Sequence, residues 1–291
     1  MLLKNIFRIM VELSKVRITI SVALTTLAGY VLVRGAFGLD VVFPVLGIFF
    51  LASASAAMNH FQDADRDGMM SRTHLRPIPS GRIGKKQVLV VVLVLVLIGT
   101  FLLALHPGTK GVALGWLALF WYNALYTPMK RITAFAVIPG SIIGSIPPMV
   151  GWVAGGGSLS DPRLILVAFF FFVWQVPHFW LLMLFYGKEY IQAGYPSITE
   201  IYTPIKLRQM IFLWSAATAI GAILLTLSGL LSSGWTKGMI IAAALWLAIV
   251  FTGLIVRRRS IQQFNPFYYF MRMNYFVLFV VLAILIDPLL K

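Results

Sequence analysis

Apolar residues in this chain fall in long blocks separated by short polar stretches. Nine blocks stand out, at about residues 16–33, 42–61, 88–105, 111–126, 134–153, 164–186, 210–231, 238–256 and 273–290. A helix needs about 20 residues to cross the hydrocarbon core of a bilayer, and most of the blocks approach that length. Several are rich in Val and Ile. A lone strand in lipid would nevertheless leave its backbone donors and acceptors unpaired, so the blocks predict helices. The alternating segments of a membrane barrel are absent. The pattern therefore predicts an all-α, polytopic integral membrane protein of about nine transmembrane helices, forming one domain over residues 1–291.

The charges between the blocks sharpen this topology. If the connecting segments alternate sides, 19 of the 24 Lys and Arg residues fall on one side. That side holds Lys4, Arg8, Lys15, Arg17, the 62–87 loop, Lys130, Arg131, Lys188, Lys206, Arg208, Arg257–Arg259 and Arg272. The other side holds Arg34, Lys110, Arg163, Lys237 and Lys291. Cytoplasmic loops carry the excess of basic charge, so the N-terminus is predicted cytoplasmic and the C-terminus on the opposite side. The two longest loops, 62–87 and 187–209, lie on the basic side, where chemistry is expected. Asp63 and Glu189 stand 126 residues apart in those loops, a spacing that hints at two related halves without any residue-level repeat.

Composition agrees. Hydrophobic residues make up 60% of the chain and charged residues 11%, against about 25% charged in soluble domains. An ordinary soluble globule and a disordered chain are both excluded. The net charge of +15 would suggest nucleic acid in a soluble protein; here topology accounts for it. The absence of Cys removes disulfides, thiol nucleophiles and Cys-based metal sites. Glu12 and the Lys15-Val16-Arg17 run interrupt the first apolar stretch and no small-residue cleavage site follows, so the first span is expected to remain in the mature protein.

Five constellations could carry chemistry. The densest is Asn59-His60-Phe61-Gln62-Asp63-Ala64-Asp65-Arg66-Asp67, followed by Met70, Arg72-Thr73 and Arg76-Pro77. Asn59, Asp63 and Asp67 are spaced i, i+4, i+8 and line one face if the second helix continues through them. Asp65 falls on another face. Carboxylates on adjacent turns repel unless a cation lies between them, and Mg²⁺ suits a few carboxylates plus substrate phosphates. A solvated acidic helix end is the ordinary alternative. Against it, ionisable groups at a span are functional by default, and arginines suited to phosphate follow at once. The second constellation, Trp174-Gln175-Val176-Pro177-His178-Phe179, puts Gln175 and His178 on one face, and Pro177 is expected to break the helix ladder. Its histidine is a candidate haem ligand or proton donor, or a side chain satisfied by a neighbouring helix.

The third, Tyr126-Thr127-Pro128-Met129-Lys130-Arg131, has charges that anchoring would explain, but anchoring does not require the Tyr-Thr-Pro before them. The fourth, Lys188-Glu189-Tyr190-Ile191-Gln192-Ala193-Gly194, offers one acid and one base. The fifth, Gly140-Ser141 through Gly144 to Pro147-Pro148, predicts close helix packing and a kink or break in the fifth span. A transporter is a competing reading, since broken helices and intramembrane polar groups occur there too. The gathering of carboxylates and arginines at one mouth argues against it.

Together these residues resemble the UbiA superfamily of intramembrane prenyltransferases, and within it the branch that farnesylates haem. The resemblance rests on Asn59, Asp63, Asp65, Asp67, Met70, Arg72, Thr73, Arg76 and Pro77, and on Tyr126 with Lys130-Arg131. It extends through Gly140 to Pro148, Trp174 to His178, and Tyr190, Ala193-Gly194 and Pro196, covering residues 14–200. The second Asp-rich motif of other branches is absent, Lys-Glu-Tyr stands where the haem branch has Lys-Asp-Tyr, and Ser197-Ile198-Thr199 replaces its Met-Leu-Pro. The resemblance implies helices around a central cavity with cytoplasmic cap loops. It implies Mg²⁺, with farnesyl diphosphate and haem B as substrates and haem O and pyrophosphate as products. Asn59, Asp63 and Asp67 would hold the metal, with Glu189 a further candidate. Arg72, Arg76, Lys130, Arg131 and Lys188 would grip the diphosphate, with Tyr126 beside them. His178, Gln175 and Trp174 would face the haem. The cell inner membrane is the implied location, and a haem A synthase or a terminal oxidase the implied protein partner. A UbiA-type enzyme acting on an aromatic quinone precursor such as 4-hydroxybenzoate shares the metal site and differs in acceptor. The Trp174–His178 element and the missing second motif favour haem.

Overall fold

The computed structural model describes residues 2–256 and 265–290. Every regular element among them is helical. The first helix, α1 (Leu2–Leu13), was not among the nine apolar blocks, because its apolar residues form a stripe and not a run. Leu13 is buried against Ala57 and Val88, while Ile6, Phe7 and Val11 point outward. Together with the polar line Lys4, Arg8 and Glu12, this is the pattern of a helix lying at the membrane interface. Arg82, from the long loop, holds it in place through Glu12 at 2.6 Å.

Nine helices follow among the described residues, one for each apolar block, and eight of them are long and apolar enough to cross a membrane. They are α2 (Val16–Arg34), α3 (Val42–Asp67), α4 (Lys85–Leu105), α5 (Thr109–Phe120, continued by Trp121–Tyr126 and Thr127–Met129), α6 (Ala134–Ala154), α7 (Pro162–Gln192), α8 (Pro204–Leu227), α9 (Gly234–Val256) and α10 (Pro266–Ile286). Sequential neighbours pack on each other, and α10 returns to α2, closing a ring; α2 also packs on α6, and α7 on α10. The tightest crossing is α2 on α6. A Cβ at Gly29 would stand 2.0 Å from the Pro148 carbonyl oxygen, and one at Gly151 1.8 Å from that of Thr26, so only hydrogen fits there.

Two expectations about proline come out differently. Span five is broken as the double Pro predicts: α6 passes through a 3-10 stretch at Ile142–Ser145 before Pro147-Pro148 open its second half. Span six is not broken. α7 runs from Pro162 to Gln192 through Pro177. Pro177, Val173 and Val176 are all buried, and packing on both sides holds the helix across the one missing hydrogen bond, as happens in membrane helices.

The alternation of sides holds where it is described. The Arg34 end of α2, the start of α3 and the end of α4 meet, since Arg34 and His106 both reach Asp40, at 3.0 and 3.3 Å. His106 also lies 2.9 Å from the Ala154 carbonyl at the end of α6. The opposite end gathers α1, the 68–84 loop and the 193–203 segment over the ring. Arg257–Arg259 and Lys291 lie outside the described residues.

Candidate active site

The site is built on the last turns of α3. The helix continues to Asp67, so Asn59, Asp63 and Asp67 do share one face, and all three are buried, at 3, 4 and 2% exposure. Asp65 is exposed and pairs with Lys85 at 3.1 Å, on another face as its spacing requires. Asn59 Nδ2 donates to Asp63 at 2.7 Å. Asp63 also receives Lys130, Arg131 at 3.1 Å and the Tyr195 hydroxyl at 3.2 Å. Arg76 grips both oxygens of Asp67 through Nη1, at 2.8 and 2.7 Å.

Lys130 reaches Asp63 because of the end of α5. Trp121–Tyr126 is a π turn, in which the Thr127 N–H bonds back to the Tyr122 carbonyl. In that register the Asn123 carbonyl would pair with residue 128, which is Pro and has no N–H. Gln62 Nε2 supplies the missing donor at 2.9 Å, and Asn123 Nδ2 returns a bond to Gln62 Oε1 at 3.1 Å. The orphan carbonyl made by Tyr-Thr-Pro thus ties α5 to α3. The wide turn re-aims the residues after it, a common use of π turns at functional sites. Thr127 lies 3.5 Å from Asn59, and Arg131 also donates to the Gln62 carbonyl. Tyr126 packs in the space left by Gly140, where a Cβ would stand 2.5 Å from its ring.

The third wall comes from the end of α7. Gly194, at φ 72°, ends the helix in a left-handed turn, with the Tyr195 N–H bonded to the Tyr190 carbonyl at 2.9 Å. That turn swings Tyr195 over Asp63. The Tyr195 ring in turn carries the Arg66 guanidinium 4.5 Å from its centroid. Burial and the charge of Asp63 push the Tyr195 hydroxyl well above the ordinary tyrosine range.

Lys15 is a further member, although in sequence it looks like any other topological lysine. It sits between α1 and α2 at φ 46° and is the one non-glycine described residue with positive φ. A left-handed conformation costs such a residue about 1–2 kcal/mol. Its ammonium donates to Asn59 Oδ1 at 3.0 Å. Burial first, then repulsion from Arg76 and Lys130, push it down to about 7. Burial also lowers Lys130, against the pull of Asp63.

Other expected members stand apart from this cluster. The Arg72 guanidinium lies over the Tyr186 ring at 4.6 Å, and its backbone N–H donates to Glu189 at 3.2 Å. Glu189 is therefore engaged by the loop and not by the acids of α3. Lys188 is exposed and forms no ion pair among the described residues. No three His, Cys or acidic side chains form a metal cluster among the described residues. Two buried carboxylates one turn apart, with an amide beside them, do fit Mg²⁺, which commonly takes one or two carboxylates and completes its shell with water and phosphate oxygens.

The Trp174–His178 element lies deeper along α7. Gln175 packs where a Cβ on Gly144 would stand 1.9 Å from its Nε2, so the small residues of α6 make room for side chains of α7 as well as for backbone. The His178 ring contacts Trp174, Phe179 and Phe270, with centroids at 4.9, 5.4 and 4.7 Å. Its Nδ1 lies 2.8 Å from Oδ1 of Asn274, a residue of α10 outside every motif. A row of rings, Tyr122, Tyr126, Phe179, joins this region to the acid cluster, with centroid spacings of 5.5 and 6.3 Å.

The sequence pattern of the UbiA prenyltransferase family matches residues 22–283. A protoheme IX farnesyltransferase of Oleidesulfovibrio alaskensis is 32% identical over 278 residues, 96% of this chain and 95% of that one. A protoheme IX farnesyltransferase of Geobacter sulfurreducens is 36% identical over 217 residues, covering 74% and 80%. In fold, the chain is similar to a digeranylgeranylglyceryl phosphate synthase, with TM-score 0.77 at 14% identity over 97% of this chain and 98% of that one. It is also similar to a UbiA homolog from Archaeoglobus fulgidus bound to GPP and Mg²⁺, with TM-score 0.67 at 14% identity over 95% and 99%.

Proposed function

The chain belongs to the UbiA prenyltransferase family, and on that premise we propose that it transfers a farnesyl group from farnesyl diphosphate to a vinyl group of haem B. Water adds in the same reaction, and the products are haem O and pyrophosphate. The observation that carries the diphosphate half is the charge at the end of α3. Lys15, Arg76, Lys130 and Arg131 surround two buried carboxylates. The carboxylates are buried and the cations around them half-buried; partial desolvation strengthens their pull on an anion, and a diphosphate is such an anion. The similarity to protoheme IX farnesyltransferases over nearly the whole chain supports haem as the acceptor.

Mg²⁺, when bound, would be held by Asp63 and Asp67 with Asn59 beside them, and would offset the charge of the diphosphate. The chain's own residues do the rest. Arg76, Lys130 and Arg131 swing from the carboxylates to the diphosphate oxygens and stabilise the charge that grows as the C–O bond breaks. Tyr122, Tyr126 and Phe179 line the way from there to His178. Their faces stabilise an allylic cation and keep water from it. The vinyl carbon supplies the electron pair of the new C–C bond. Water captures the cation left on the haem side and releases a proton. His178 orients the haem. We place the reaction at the cytoplasmic face of the inner membrane, because that face carries the excess of Lys and Arg. The product would pass to a haem A synthase or a terminal oxidase.

The test is a competition. Purified protein receives Mg²⁺ and farnesyl diphosphate, with haem B and 4-hydroxybenzoate offered together, and mass spectrometry identifies which acceptor gains the farnesyl group. Hydroxyethylfarnesyl haem is the expected product. A prenylated aromatic acid with untouched haem overturns the acceptor and keeps the diphosphate site.

A further inference from the structure

Asn274 lies on α10, 96 residues from His178 in sequence and 2.8 Å from it in space. Which atom donates in this contact is fixed by the other end of the amide. Asn274 Nδ2 lies 2.9 Å from the Phe270 carbonyl oxygen. A carbonyl only accepts, so the amide cannot be turned around. Oδ1 therefore faces His178, and an amide oxygen also only accepts. The hydrogen must sit on His178 Nδ1. A neutral imidazole carries one such hydrogen, which leaves Nε2 with a bare lone pair. Nε2 makes no hydrogen bond among the described residues. Three aromatic rings, from Trp174, Phe179 and Phe270, wall the imidazole, so its orientation is held by packing as well as by the amide.

We infer that Asn274 is a positioning residue for the haem acceptor: it holds His178 as the Nδ1–H tautomer and presents Nε2 to the haem iron. The inference rests on the reading of the protein as a haem prenyltransferase. A histidine that ligates a metal commonly donates its other N–H to an oxygen acceptor, which fixes the ring and raises its basicity, and loss of that acceptor weakens the metal about 10–100-fold. The arrangement also gives Asn274 a role at the start of the long apolar run of α10. Its amide spans two partners, the Phe270 carbonyl of the preceding turn on one side and an imidazole N–H on the other.

The experiment uses the full chain in detergent. Ferric haem B is titrated by Soret absorbance, and the ferrous complex is examined by resonance Raman for the iron–histidine stretch. The wild type is compared with His178→Ala, Asn274→Leu and Asn274→Asp, each checked for folding by size exclusion. His178→Ala is expected to lose the stretch. Asn274→Leu is expected to bind haem at least about tenfold more weakly and to lower the stretching frequency. Asn274→Asp, a stronger acceptor, is expected to raise it, and it carries the test alone if the leucine variant does not fold. Should His178→Ala lose the stretch while both Asn274 variants keep wild-type affinity and frequency, Asn274 is not a positioning residue and the haem reading stands. Should His178→Ala leave the spectrum unchanged, the inference fails because His178 is not the ligand. The acceptor competition then decides the function independently.

Discussion

The two ends of the bundle use the same residue types to different effect. At the end away from the site, each described acid is met by a matched set of partners. Asp40 takes the Tyr30 hydroxyl at 2.8 Å, Arg34 at 3.0 Å and His106 at 3.3 Å. Asp161 caps its own helix and pairs with Arg163 at 2.6 Å. Asp287 accepts from the backbone of Ser232 and Ser233, at 2.9 and 3.0 Å, where α9 begins. These contacts satisfy each acid where it stands. At the site end, two carboxylates face four cations, and Lys15 bends its backbone to take part. The local balance of charge separates the two ends, and half-buried cations in excess around buried carboxylates make a site for a ligand of the opposite sign.

The contrast is tested hardest at the carboxylates. Asp63→Asn and Asp67→Asn should each lower turnover about a thousandfold, the scale of losing a preorganised electrostatic group, while the protein still inserts in the membrane. Haem O formed per folded molecule is the measure. Near-normal turnover in either variant would remove the metal role of that residue, and an equal loss in Asp40→Asn would erase the difference between the ends. Lys130→Met comes next, at about a hundredfold, with weaker retention of farnesyl diphosphate as its mark. Lys15→Met should cost about tenfold, mainly as a raised KM for farnesyl diphosphate. If it changed only stability, the left-handed turn would be a joint between α1 and α2 and no part of the diphosphate site.

Lys15 also marks where the sequence stops being readable. The helices were legible because an apolar block of about membrane length forms a helix in lipid, and eight of the nine blocks give helices long and apolar enough to cross. Asn59, Asp63 and Asp67 were legible because a four-residue spacing becomes one face in any helix, whatever surrounds it. Lys15 carried the same signal as every other topological lysine. Its role depends on a backbone turn that no periodicity announces. Asn274 pairs with His178 across two helices distant in sequence, so its place follows from α10 packing on α7 and from nothing local. Tyr195 was half visible, since Ala193-Gly194 announces a helix end but not the direction of the residue after it. Pro177 shows the reverse error. Proline chemistry predicts a break, and packing on both sides of α7 overrides it, whereas the weaker-looking Gly140–Pro148 stretch of α6 does break.

The smallest expected effect lies at the quiet end, and it is the one that makes the others interpretable. Asp287 is buried, and its two oxygens accept the Ser232 and Ser233 N–H groups and the Ser232 hydroxyl at 2.9 Å. Asp287→Ala leaves those backbone donors at the start of α9 without an acceptor. A lost cap of this kind costs about 1–2 kcal/mol, which should appear as a lower melting temperature in detergent. Nothing in the acid cluster or around His178 touches Asp287, so kcat and KM per folded molecule should stay at wild-type values. If Asp287→Ala instead lowered kcat as Lys15→Met does, the two ends would be coupled through the ring, and the assignment of chemistry to one end by charge balance would have to give way to a description of the bundle as a whole.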